Sequence, residues 1–200
     1  MPKPFRYGER WPVYAGWWDK MKINSDRFAE FKAVADFAIK NKSIYQAIEK
    51  ATGVPWYMIA VIHRRENISF KSYLGNGQSL ARRTTIVPKN RGPFKKANVS
   101  WEEAFFNGAV DALTYEGYTK IKDWRLEKVL FFLEPFNGLG YFYHGIPSPY
   151  IFGGTNIQMR GKYVRDGVFD RRYWDTQPGC APMLYMIAKG DPTVKFVRET

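Results

Sequence analysis

Apolar residues recur at helical steps along much of the chain, and the stretches that lose this period are as informative as those that keep it. From Ser25 onward Phe28, Phe31, Val34, Ala35 and Ala38 fall three or four apart, which predicts a helix with Asn24 or Ser25 available as N-cap. A second helix is predicted over Ser43 to Thr52, closed by Gly53. Pro55 suits a helical first turn, and Trp56, Ile59, Ala60, Ile62 and His63 then carry a third helix to about Glu66. That helix is apolar on most sides, a pattern that belongs in a core. Ser100-Trp101-Glu102-Glu103 has the form of a capping box and predicts a helix to about Glu116, with Ala104, Phe105, Ala109 and Leu113 on one face. Another spans about Asp123 to Pro135, carries Trp124, Val129, Leu130 and Leu133, and is stopped by Gly138 and Gly140. A short helix near Ala181 to Ala188 completes the set.

Between these helices the period breaks down. Met1 to Lys22 is rich in prolines and aromatics, with too many breakers for one regular element, so residues 1–24 are expected to wrap the domain. Lys71 to Asn98 contains Gly75, Asn76, Gly77 and two prolines and reads as loops or short strands. A long irregular segment after a buried helix carries function more often than not in a compact domain. After Gly140 the chain alternates turns with aromatics. There is no internal repeat and no low-complexity linker. The pattern predicts a single, mainly helical α+β domain with irregular, aromatic-rich connections.

Composition narrows this further. Two hundred residues, 45% of them hydrophobic, suffice for one well-packed core and not for two full domains. Aromatics reach 18%, more than a core requires, which points to rings available for stacking on a sugar or a nucleobase. The net charge of +12 draws polyanions to the surface: nucleic acid, anionic lipid or anionic wall polymer. Cys180 is the sole cysteine, which rules out an intrachain disulfide and suits synthesis in a reducing cytoplasm. The first residues lack an apolar run of signal-peptide length, and no segment approaches the roughly 18 apolar residues of a membrane span. A target outside the membrane would require a separate delivery route.

Several chemistries find little support. His63 and His144 are the only histidines and lie in no metal-ligand spacing, so no metal is expected. Cys180 has no convincing base partner and reads as a small buried thiol. Gly75-Asn76-Gly77 matches neither phosphate-cradling glycine pattern, and no cofactor is expected. Glycoside cleavage fares better, because it needs a carboxylic acid kept protonated by apolar surroundings. Glu66 ends an apolar helix where His63, Arg64 and Arg65 also cluster. Taken without further context, that cluster is the ordinary pattern of an exposed C-terminal turn, since cations complement the helix dipole.

Here the residues carry a resemblance. Glu66-Asn67-Ile68-Ser69-Phe70 resembles the catalytic glutamate segment of the lysozyme superfamily, which includes goose-type lysozymes and lytic transglycosylases. Phe136-Asn137-Gly138-Leu139-Gly140-Tyr141 is similar to its substrate-cleft segment. Over about residues 54–185 the chain resembles phage and prophage endolysins of that superfamily. The shared order runs V-P-W-Y-M-I-A-V-I-H-R-R-E, T-T-I-V-P-K-N-R-G-P-F, S-W-E-E-A, F-N-G-L-G-Y, S-P-Y-I-F-G-G-T-N and Q-P-G-C-A. The resemblance implies a muramidase acting on the β-1,4 bond between N-acetylmuramic acid and N-acetylglucosamine, with Glu66 as general acid. It also implies that Tyr141, Tyr150, Thr155 and Asn156 lie along or near the glycan groove. Asn137 joins them as an amide able to bond acetamido and hydroxyl groups. The implied partners are peptidoglycan strands and an anionic wall or outer-membrane surface. The protein is expected to be monomeric, made in a host cytoplasm and released to the wall, without a separate wall-binding domain.

One departure bears on mechanism. The relatives carry Asn-Gly-Asp-Pro-Leu where this chain has Asn76-Gly77-Gln78-Ser79-Leu80, and no Asp or Glu occurs between Glu66 and Glu102. A two-carboxylate hydrolase needs a second acid there. Either Gln78, Thr84 or Thr85 orients water while Glu66 moves the proton, or the chain is a lytic transglycosylase with one glutamate as acid and base, or it binds glycan without cutting. Tyr141, Phe142, Tyr143, Tyr150 and Phe152 each make sense singly as core cover; together with Asn137 and Asn156 they suggest a saccharide groove. Arg82, Arg83, Lys89, Arg91, Lys95 and Lys96 form a basic loop that is either a solvated face or an attractor for the wall. The rival from another class is a basic nucleic-acid-binding or virion protein. No RRM, KH or helix-turn-helix signature appears, and nucleic acid is not the expected partner.

Overall fold

The structure is a computed structural model, describing residues 4–165 and 167–200. Met1–Lys3 of the expected wrapping segment lie outside the described residues. In chain order the helices are α1 (Tyr7–Lys20), α2 (Phe28–Lys40, entered through the 3-10 turn Ser25–Arg27), α3 (Lys42–Thr52) and α4 (Trp56–Glu66). They continue as α5 (Trp101–Tyr115), α6 (Leu126–Phe136), α7 (Gly140–Tyr143), α8 (Pro149–Phe152) and α9 (Cys180–Gly190). Strands β1 (Lys162–Arg165) and β2 (Val168–Asp170) form one antiparallel hairpin, pairing Lys162 with Asp170 and Tyr163 with Phe169 before the register shifts. The protein is therefore mainly helical with a small β component, as the periodicity predicts. No helix of the described residues is long and apolar enough to cross a membrane.

The N-terminal segment corrects its expectation, since most of it forms the helix α1. Pro12 lies inside that helix and removes a backbone bond, an interruption costing about 3 kcal/mol. Packing outweighs it. Tyr14 is fully buried, its ring meets Trp17 at 5.9 Å, and Trp17 meets Phe152 edge-on at 5.3 Å. Each large side chain taken from water contributes about 1.5–3 kcal/mol. The Tyr14 hydroxyl also donates to Glu134 on α6, and Arg10 lies over the Tyr14 ring with its guanidinium 4.0 Å from the same carboxylate. Burial pushes the Glu134 carboxyl upward, against the Tyr14 hydrogen bond and the Arg10 charge.

The chain forms two compact units: residues 1–36 with 125–200, and residues 37–124. One boundary falls inside α2 and the other beside Trp124, neither marked by a change in composition. In the first unit α6 packs on α1 and α8, and α8 packs on α9. Leu126, Val129, Leu130 and Leu133 recur at helical spacing and are all fully buried. Close backbone approach joins α8 to the start of α9: Gly179 N–H donates to the Gly153 carbonyl at 2.9 Å, and a Cβ at Gly153 would stand 2.5 Å from the Gln177 carbonyl oxygen. Only glycine fits such an approach.

In the second unit α3 packs on α4 and α5. Gly53 ends α3 at φ +75°, a left-handed cap that glycine adopts without strain. Pro55 stands at the N-cap of α4, one residue before the predicted first turn. The Ser100 hydroxyl caps α5 by accepting from Glu103 N–H at 3.0 Å, as the capping pattern predicts.

Candidate active site

Glu66 is the last residue of α4, a helix whose residues Trp56 and Met58 to His63 are buried. Its side chain is half-buried, at the step from core helix to irregular loop. One turn earlier, His63 is enclosed by Phe105 at 4.7 Å and Phe70 at 4.9 Å, and its Nδ1 shares a 2.9 Å hydrogen bond with the Tyr45 hydroxyl. Burial lowers the His63 pKa to about 4, with the Ser69 backbone opposing part of the shift, while Nε2 lacks a hydrogen-bond partner of proper geometry. The ring is therefore neutral at pH 7 and adds no cation to the helix end.

Loop 67–99 holds no regular strand among its residues, only an isolated bridge between Ser72 and Ser79. It is nevertheless well anchored. Tyr73, Leu74 and Leu80 are buried, and the Tyr73 ring stacks on Phe94 at 5.6 Å. Gly108 on α5 leaves the space that Leu80 occupies, since a Cβ there would stand 2.6 Å from the leucine methyl. Asp111 on α5 accepts from the Tyr73 hydroxyl at 2.8 Å and from Arg91 Nε at 2.9 Å, and a second Arg91 nitrogen completes a bidentate pair. The near end of the loop returns to Glu66: Asn67 Nδ2 donates to the Gly77 carbonyl at 3.3 Å, and Gly77 at φ +71° lies against the Glu66 carbonyl.

Two of the predicted catalytic side chains meet here. Gln78 Nε2 donates to the Thr85 hydroxyl at 2.9 Å, and Gln78 Oε1 accepts from Thr85 N–H at 2.8 Å and Ile86 N–H at 3.2 Å. An aspartate could accept these amides but not make the donation. Asn76 complements the clasp, donating to the carbonyls of Ile86 and Val87. Thr84 is buried; its hydroxyl donates to the Pro88 carbonyl and accepts from Arg91 N–H. The Thr84 hydroxyl thus spends its one proton on the loop itself.

The predicted groove residues all belong to the other unit. Asn137 caps α6 and is exposed. Tyr141 is buried, and its hydroxyl accepts from Tyr163 N–H at 3.4 Å. Tyr150 and Thr155 are enclosed, with the Thr155 hydroxyl donating to the Phe152 carbonyl at 2.7 Å. The Asn156 amide ties down the segment after α1, accepting from Lys22 N–H at 2.6 Å and donating to the Lys20 carbonyl at 3.0 Å. Thr155 and Asn156 thus hold backbone together, and Tyr150 fills the core between helices. Tyr150 and Thr155 are buried and Asn156 is exposed.

Sequence reasoning missed Asp111, Tyr73, Asn76 and Gly77. An acid at the edge of the apolar face of α5, and an Asn-Gly pair just past a helix end, were the signals available. A cavity of about 370 Å³ opens beside α3 and α5, lined in part by Ser43, Ala47, Glu103 and Phe106; no predicted site residue lines it. No group of three or more His, Cys, Asp or Glu among the described residues is arranged to hold a metal ion. No family model matches the chain, nor does any curated protein or solved structure.

Proposed function

We propose that the protein cleaves the glycan strands of peptidoglycan, with Glu66 as the proton donor. The observation that carries this reading is the setting of Glu66: half-buried at the end of a core helix, behind a neutral His63 and against a loop turn fastened by Asn67 and Gly77. General acid catalysis requires a carboxyl that carries its proton to the bridging oxygen. Glu66 passes its proton to the bridging oxygen as the bond from the muramic C1 breaks. The resulting carboxylate then takes a proton from the nucleophile that adds at C1. If that nucleophile is water, the product is a reducing sugar. If it is the substrate's own C6 hydroxyl, the product is a 1,6-anhydro sugar.

The state of the loop favours keeping transglycosylation as the second reading. Gln78 and Thr84 are committed to loop hydrogen bonds, and loop 67–99 contains no carboxylate. A single-glutamate mechanism needs none. E66Q should abolish clearing of purified peptidoglycan while leaving the melting temperature near the parent value. Full activity in E66Q would reject the assignment. Mass spectrometry of products released by the parent protein separates reducing ends from 1,6-anhydro ends.

A further inference from the structure

The tip of loop 81–91 turns apolar side chains to solvent while bonding several of its own backbone groups. Ile86 is 53% exposed and Val87 72% exposed. An ordinary loop tip leaves its amides and carbonyls to water. Here the Gln78 side chain takes the N–H groups of Thr85 and Ile86, and the Asn76 side chain bonds the carbonyls of Ile86 and Val87 at 3.2 and 3.4 Å. Pro88 brings no N–H, and its carbonyl accepts from the buried Thr84 hydroxyl. Thr84 N–H to the Arg91 carbonyl and Asn90 N–H to the Thr84 carbonyl close the base of the loop at 3.0 and 2.8 Å. Those groups remain satisfied when water leaves, which is the condition for entering an apolar medium.

The charge around the tip selects the medium. Arg82, Arg83 and Lys89 flank it, all exposed, and none forms an ion pair among the described residues. The chain carries no acid between Glu66 and Glu102 to oppose them. We propose that this loop docks the protein on an anionic phospholipid bilayer. Ile86 and Val87 enter the boundary between headgroups and acyl chains, while Arg82, Arg83 and Lys89 pair with lipid phosphates. A glycan strand fits the tip less well, because sugars are gripped by flat rings and hydrogen-bonding side chains, and Ile86-Val87-Pro88 offers neither. The inference goes beyond the glycosidase reading and stands without it.

The test is co-sedimentation of the full chain with vesicles of phosphatidylglycerol and phosphatidylethanolamine, against vesicles of phosphatidylcholine. Binding to the anionic vesicles should be at least about tenfold tighter, and rising NaCl should erode it. R82Q/R83Q should weaken it about fivefold for each arginine removed, and I86S/V87S about tenfold or more. I86S/V87S should clear purified peptidoglycan like the parent, and E66Q should bind vesicles like the parent, so failure of the glycosidase reading leaves this result intact. Equal binding to both vesicle types, or unchanged vesicle binding in I86S/V87S, overturns the proposal. Loss of peptidoglycan clearing in I86S/V87S with vesicle binding intact also overturns it, assigning the tip to glycan. V87C carrying a polarity-sensitive dye gives a second measurement that tolerates a destabilised serine variant, and it labels selectively because Cys180 is buried. Its emission should shift to the blue with anionic vesicles; an unchanged spectrum rejects insertion.

Discussion

Gly77 offers the sharpest test of whether the loop turn sets the position of Glu66. At φ +71° an alanine there would adopt the left-handed region, and its Cβ would stand 2.8 Å from the Glu66 carbonyl oxygen and 3.2 Å from Asn67 Cβ. The conformational penalty is about 1 kcal/mol, and crowding against a backbone atom adds about 1–2 kcal/mol, because a carbonyl cannot rotate away as a side-chain tip can. Gly53 provides the control in the same unit: its φ is +75°, but nothing lies within 4 Å of a Cβ there. G53A should therefore cost about 1 kcal/mol and G77A about 2–3 kcal/mol by urea unfolding. The crowding is relieved by moving the Glu66–Asn67 backbone, and a displacement of about 1 Å at a reacting group can cost about a hundredfold in rate. Initial clearing rates on peptidoglycan, measured well below both melting temperatures, should fall about tenfold or more in G77A and stay near the parent value in G53A. Equal unfolding costs for the two variants would refute the contact. A destabilised G77A with parental rates would refute its role in positioning Glu66.

Three other outcomes are expected. E66Q should lose wall clearing with little change in denaturant midpoint, and surviving activity would move the proton donor elsewhere. Y73F should cost about 1.5 kcal/mol and D111A about 3 kcal/mol, since the latter strands Arg91 and the Tyr73 hydroxyl together; a D111A midpoint equal to the parent's would deny that this network anchors the loop. His63, held to about 4 against an ordinary 6.5, resists a proton that the unfolded chain accepts. Its stabilising contribution is complete above pH 6.5 and is lost as pH falls towards about 4, a window worth about 3 kcal/mol. H63Q, which keeps a partner for the Tyr45 hydroxyl, should flatten the fall in stability across that window; an unchanged slope would exclude His63 as its source.

Where apolar spacing was long and regular, the sequence revealed the element. α3, α4, α5, α6 and α9 appear within a few residues of the predicted bounds, and the Ser100 cap appears as its motif requires. The failures have physical causes. α1 was hidden by Pro12 and its glycines, because local propensity cannot register that Tyr14 and Trp17 would be covered from a distance in sequence. α7 and α8 span one turn each, too short for a period to show. The hairpin strands are three and four residues long, which likewise gives alternation no room. Around the candidate site, the position of Glu66 at the end of α4 was legible because the apolar pattern stops there. Asn76, Gln78 and Asp111 were not legible in their observed roles, since each is defined by partners seven or more positions away. For Thr84 and Asn156, residue type gave no sign of the backbone carbonyls that their side chains bond.

The two units reach completion at different moments of synthesis. Residues 37–124 are contiguous, so their contacts can close once Trp124 has left the ribosome. The other unit joins the first 36 residues to everything after Trp124, so α1 emerges first yet waits for α6 to cover Tyr14 and for α8 to cover Trp17. A nascent chain stalled in between therefore carries a finished segment behind an uncovered aromatic helix, which makes the stretch before Arg125 the interval of greatest exposure to chaperones and proteases.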